Sequence, residues 1–276
     1  MKFLCAPLSP VQLNALFLQL MKRKYVPQVV TTVAKKMAYR FYRFTEKVLQ
    51  PPFDRYDFET FDVLKRVLRK DSNCIDIGAH KGEILEAILK AAPAGRHMGF
   101  EPIPYLFSQL QKKYGSRVQL FNTALSSEAG EAEFTVFKDR PAVSGLKERS
   151  FEDANYDTEK IQVKLERLED LVPANQPVHL VKIDVEGAEL EVLKGARRIL
   201  QQHKPVVLFE FGKGGSDLYG ATPELMFDFF DGLGYTLTLQ QYFLKGYPGF
   251  NRHEFIGQFE KGYNYFFMAY AAERTV

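Results

Sequence analysis

The sequence predicts a doubly wound α/β fold: a mostly parallel sheet with an antiparallel C-terminal edge, preceded by an N-terminal helical extension. Three observations predict it. From about residue 72 short apolar runs alternate with helical stripes, the pattern of parallel βαβ units. A glycine turn follows the first run and a carboxylate closes the second. The chain then finishes on two aromatic-rich runs that can pair antiparallel.

Taken in order, residues 74–77 read as a buried strand that ends in a glycine turn. A helix follows with Ile84, Leu85, Ile88 and Leu89 on one face. Residues 97–100 make the second strand, after which Pro102 and Pro104 start a helix striped by Ile103, Leu106, Phe107, Leu110 and Tyr114. Residues 118–121 are the third strand and 178–183 the fourth, which leads into a helix bearing Leu190, Leu193, Ala196 and Leu200. Residues 205–209 are the fifth. A helix from Pro223 presents Met226, Phe229, Phe230 and Leu233, and Gly234 is expected to end it. Residues 235–239 and 263–270 close the sheet. Between the third and fourth strands, 131–137 and 161–165 alternate like strands around an aperiodic stretch, Lys138 to Lys160, expected to be a loop. Gln240 to Gly262 is expected to be another.

Composition bounds the function classes. With 46% hydrophobic and 26% charged residues this is an ordinary globular chain. Its densest early apolar stretch, Val11 to Met21, falls short of the roughly 20 residues of a membrane span and contains Gln12, Asn14 and Gln19. Pro7 and Pro10 make a poor secretory signal, and Cys5 and Cys74 allow no disulfide framework, so a cytoplasmic setting is expected. The net charge of +3 is too small to argue for nucleic acid, but residues 1–50 hold nine Lys or Arg against Glu46 alone. This basic segment, with Leu13, Leu16, Phe17 and Leu20 at helical spacing, reads as a cap that packs its stripe on the rest of the chain. Its alternative role is docking to an anionic membrane or an acidic partner. A boundary near Pro51 and Pro52 divides it, as residues 1–52, from a ligand-binding domain of 53–276.

Ligands of open α/β sheets bind outside the carboxyl ends of the strands. There the first turn reads DIGAHKG, with Asp76, Gly78 and Gly82 spaced as D-x-G-x-x-x-G. Glu101 closes the second strand 25 residues after Asp76, where an acid about 20 residues on accepts hydrogen bonds from ribose hydroxyls. The G-x-G-x-x-G of a nicotinamide site is absent. A single-glycine turn preceded by Asp suits a nucleoside without a pyrophosphate, which favours S-adenosylmethionine over NAD.

DIGAHKG, FEPIPYLF (100–107), NTALS (122–126) and VKIDVEGAELEVLKGA (181–196), in that order, resemble the successive motifs of FkbM-type methyltransferases. LERLEDL, VVLFE and YNYFFMA resemble the family's later segments, and the likeness runs from about residue 59 to the C-terminus. It implies a Rossmann-like domain of the class I methyltransferase type that moves the methyl group of S-adenosylmethionine to a hydroxyl of a sugar, glycolipid or secondary metabolite. It also implies that Asp76, Gly78, Ala79, His80 and Gly82 form the cofactor turn, that Glu101 holds the ribose, and that Asn122 and Ala124 line the adenine side. The chain departs from the family at His80, where Asn is usual.

An alcohol acceptor calls for a base, and the candidates rank Asp184 and Glu210 first, His253 next, His80 last. Scattered carboxylates without a tight ligand motif give no expectation of a metal. His97, His179 and His203 are expected to be structural. A nucleotide- or NAD-dependent enzyme of similar fold, and a cofactor-binding protein without catalysis, are the alternatives.

Overall fold

The computed structural model describes residues 55–149 and 156–271. The basic segment with its Leu13 stripe, Cys5 and the boundary near Pro51 lie outside the described residues.

The elements follow in chain order. Helix α1 (Arg55–Val67) precedes β1 (Cys74–Ile77), α2 (Glu83–Ala91), β2 (His97–Phe100), α3 (Pro104–Tyr114), β3 (Val118–Phe121) and β4 (Ala124–Leu125). The insertion carries β5 (Gly130–Phe137) and β6 (Thr158–Glu166), and a short helix α4 (Leu168–Leu171) returns to β7 (Leu180–Ile183). After α5 (Glu189–Lys194) and α6 (Arg197–His203) come β8 (Val206–Glu210), α7 (Pro223–Asp231), β9 (Tyr235–Thr238), α8 (Gln240–Lys245), α9 (Arg252–Glu260) and β10 (Phe266–Ala271).

Seven strands form one sheet in the order β3-β2-β1-β7-β8-β10-β9, with β10 antiparallel to both neighbours and the other pairs parallel. All residues of β1, β2 and β7 are buried, as expected of parallel strands covered on both faces. The helices cover them with the predicted stripes. Leu85, Ile88 and Leu89 of α2 and Leu106, Leu110 and Tyr114 of α3 are buried, each side chain contributing about 1.5–3 kcal/mol of hydrophobic stabilisation. Aromatic packing braces the far half of the sheet: the Phe209 ring centroid lies 5.1 Å from that of Phe230, and that of Phe255 lies 5.0 Å from Phe267.

Several expectations are corrected. The stretch 240–262 is not a loop but holds α8 and α9; the Asn251 side chain and Glu254 form a reciprocal cap at the start of α9, and Phe255 and Phe259 anchor it in the core. The helix after the fourth strand is two helices, interrupted at Gly195, where a Cβ would overlap the Ser126 carbonyl. Gly232 rather than Gly234 caps α7; Gly234, at φ +70°, makes the turn into β9. The insertion is built on an antiparallel β5–β6 pair within a second sheet, order β4-β6-β5. Of its supposed loop, 158–160 belong to β6, and Gly145 bridges back to Thr135.

Strand order reverses direction between β1 and β7. The two turns that leave their carboxyl ends, at Gly78 and Asp184, therefore stand side by side at the topological switch point.

Candidate active site

On the β1 side, the chain turns through Gly78 at φ +75° and His80 at φ +48°. The left-handed conformation at 80 explains why Asn is usual there, since Asn, Asp and His are the side chains that enter that region most readily. Glycine at 78 is needed for a second reason: a Cβ would overlap the backbone carbonyl oxygen of Asp184 in the neighbouring turn. Gly82, at φ +83°, opens α2 and makes room for the Tyr114 ring, whose hydroxyl donates to the Gly82 carbonyl at 3.2 Å. Ala79 is buried against the core group that includes Leu85, Leu110 and Tyr114.

Glu101, immediately after β2, ties the turns together. Its Oε2 accepts from the His80 N–H at 2.8 Å and its Oε1 from the Ile103 N–H at 2.9 Å. Asn122, exposed after β3, donates through Nδ2 to the carbonyls of Glu101 and Pro102, both at 2.9 Å. Burial pushes the Glu101 carboxyl up to about 7, against the lowering effect of those two backbone donors. A carboxylate offers about four acceptor positions, so two remain for hydroxyl donors. The imidazole of His80 has its Nε2 buried and unpartnered among the described residues, and burial holds its pKa below the usual range. Ala124 is half-buried against Ile103 and Phe134.

On the β7 side, carboxylates converge. One oxygen each of Asp184, Glu186 and Glu210 lies within 4.8 Å of the others. Asp184 follows β7 and Glu210 ends the adjacent β8, while Glu186, at φ +61°, belongs to the turn between β7 and α5. Burial, then the Asp184 charge, raises the Glu186 carboxyl to about 8 and the Glu210 carboxyl to about 10. Glu189 supports the turn from below: fully buried, its Oε1 accepts from the N–H groups of Val185 at 3.0 Å and Gly187 at 3.1 Å. Arg149 reaches in from the insertion to pair with Glu186, and its guanidinium fits only because residue 215 is glycine.

The structure thus brings Asp184 and Glu210 together beside the glycine turn. It does not bring His253 to them: that residue is the second of α9, exposed, and not in a loop. The expectation of scattered carboxylates is also corrected, because Asp184, Glu186 and Glu210 form a set that could ligate a divalent cation. Asp76, expected at the cofactor, is wholly buried within β1. His97 and His179 serve the framework, His97 Nε2 at 2.8 Å from the Ala92 carbonyl and His179 Nδ1 accepting from the Asn73 N–H. Sequence reasoning missed Arg149, Lys182, Glu186 and Glu189. A lysine inside an otherwise apolar strand, VKI, was the available signal for the second of these.

Residues 76–237 match the family model described as the methyltransferase FkbM domain. Over 145 residues the chain is 30% identical to methyltransferase 1 of Beauveria bassiana, and over 152 residues 32% identical to methyltransferase sdnD of Sordaria araneosa. These matches cover 45% and 44% of this chain and span 58% and 59% of those relatives' own lengths. Among solved structures, methyltransferase FkbM from Methylobacillus flagellatus aligns at 18% identity and TM-score 0.37, over 62% of this chain and 48% of that one. A TehB-like SAM-dependent methyltransferase from Corynebacterium glutamicum aligns at 10% identity and TM-score 0.43, over 87% and 98%.

Proposed function

This chain belongs to the FkbM methyltransferase family, and on that premise we propose that it moves the methyl group of S-adenosylmethionine to a hydroxyl of a small-molecule or glycan acceptor. The observation that carries the acceptor half is the convergence of Asp184, Glu186 and Glu210 within 4.8 Å beside the turn of Gly78. The residues on the donor side fit the cofactor: Glu101, with one backbone donor on each oxygen, keeps two acceptor positions for ribose hydroxyls.

When bound, S-adenosylmethionine supplies a methyl carbon already activated by a sulfonium, so the protein need only align an acceptor oxygen, exclude water and dispose of one proton. Glu101 holds the nucleoside, and Asn122 and Ala124 border it. At the other turn, Glu210 keeps its proton near neutrality and can donate to the acceptor, while Asp184, less buried and 3.7 Å from the Lys182 ammonium, receives the hydroxyl proton. Held at Glu101, the donor would supply the methyl group and leave as S-adenosylhomocysteine, and the hydroxyl proton would end on the Asp184 carboxylate. The three carboxylates could instead hold a divalent cation that acidifies the hydroxyl. Docking to an anionic membrane or an acidic partner is the alternative to a cap for the basic N-terminal segment; among the described residues no helix is long and apolar enough to cross a membrane.

The test is transfer of labelled methyl from S-adenosylmethionine to a panel of polyols, glycans and amines. Label should enter an alkali-stable ether with one S-adenosylhomocysteine formed per methyl. Asp184→Asn should lower turnover by about 10²–10⁴-fold, the size of a general base, with S-adenosylhomocysteine affinity kept within about threefold, whereas His253→Ala should cost less than about tenfold. Label found on nitrogen, or in an alkali-labile ester, would overturn the hydroxyl assignment.

A further inference from the structure

Lys182 occupies the middle of β7, a central strand with β1 on one side and β8 on the other, and is 5% exposed. A buried ammonium persists only where acceptors and opposite charge surround it. Its Nζ donates to the Gly78 carbonyl at 2.9 Å and lies 3.3 Å from Asp76 Oδ1 and 3.7 Å from Asp184 Oδ2. The ammonium thus stands between three separate places: the strand β1, the turn that leaves it, and the turn that leaves β7.

Asp76 is paired with Lys182 across the β1–β7 register. Its carboxylate is wholly buried, and neither oxygen has a well-aligned hydrogen bond among the described residues, so the 3.3 Å contact acts as an ion pair rather than a hydrogen bond. Burial disfavours the charge on Lys182, but Asp76 and Asp184 outweigh it and keep the group protonated. The two turns also meet directly, the Asp184 N–H donating to the Ile77 carbonyl at 3.1 Å.

We propose that Lys182 is a positioning residue that fixes the cofactor turn after β1 and the acceptor-side carboxylate Asp184 relative to each other. The inference rests on the methyl-transfer reading of the site. A lysine present only to neutralise Asp76 would need neither the Gly78 carbonyl nor Asp184, and replacing both members of that pair by neutral residues would then restore all properties.

That difference is measurable without the acceptor, by calorimetric titration of the full chain with S-adenosylhomocysteine at neutral pH. Lys182→Met should weaken binding at least tenfold and lower the melting temperature, because Asp76 loses its counter-charge. The double variant Asp76→Asn, Lys182→Met should regain the melting temperature yet remain at least tenfold weaker in binding. Wild-type affinity in either variant overturns the proposal. Should neither fold, Asp184→Ala against Asp184→Asn decides: the asparagine keeps an oxygen for Lys182, so the alanine variant should bind at least threefold more weakly, and equal affinities overturn the proposal. If the unaltered chain does not bind S-adenosylhomocysteine, the methyltransferase reading itself falls, and the inference with it.

Discussion

Replacing Glu210 by Gln should flatten the dependence of stability on pH. The carboxyl ends β8 with its Oε2 buried and without a hydrogen-bond partner among the described residues, beside the charges of Asp184, Glu186 and Glu189. Burial first, then those neighbours, raises it to about 10 from an ordinary 4.5. Between those values the folded protein holds a proton that the unfolded chain releases. The stabilisation is therefore complete below the lower value and is lost as pH rises towards the upper one. One such proton changes stability by about 1.4 kcal/mol per pH unit. Sharing of protons within the cluster reduces the part that belongs to Glu210, so the variant should lose about 1–3 kcal/mol less than the wild type between pH 7 and pH 9. Urea unfolding at pH 6, 7, 8 and 9, followed by circular dichroism, measures this, provided the urea dependence of the two proteins is the same. Parallel profiles for wild type and variant would refute the assignment of a retained proton to Glu210.

Two further substitutions probe the β1 turn. Gly78→Ala combines a left-handed φ of +75° with an overlap on the Asp184 carbonyl, and should cost at least about 2 kcal/mol in urea unfolding together with loss of S-adenosylhomocysteine binding. His80→Asn places a residue suited to φ +48° without disturbing the N–H bond to Glu101, and should change stability by less than about 0.5 kcal/mol in the same assay and affinity by less than about threefold by calorimetry.

The parallel half of the fold was legible because its strands are buried on both faces and so appear as short, mainly apolar runs, with one charged residue each in 74–77 (Asp76) and 180–183 (Lys182). The pairing of the Gly78 turn with Glu101 was legible too, since both lie within one βαβ unit. What escaped depends on contacts distant along the chain. Asp184 and Glu186 are neighbours, but Glu210 joins them only because β8 lies parallel to β7. Arg149 arrives from the insertion, where nothing in the local pattern marks it. Helix α9 was hidden by a weak apolar stripe, Phe255 and Phe259 around Gly257, although its Asn251 and Glu254 capping pair stood in the sequence. At residue 182 the identity was visible and its meaning was not, because a lysine in a strand shows its partners only once β1 is beside it.

Methyl transfer at this site requires that Glu101 hold the nucleoside of a bound S-adenosylmethionine. Calorimetric titration of the wild type with S-adenosylhomocysteine should show saturable binding at one site per chain. In Glu101→Ala that binding should weaken by about 1.5–3 kcal/mol, the contribution of hydrogen bonds to a charged group. Equal affinity in the two proteins, or no binding by the wild type, would contradict it.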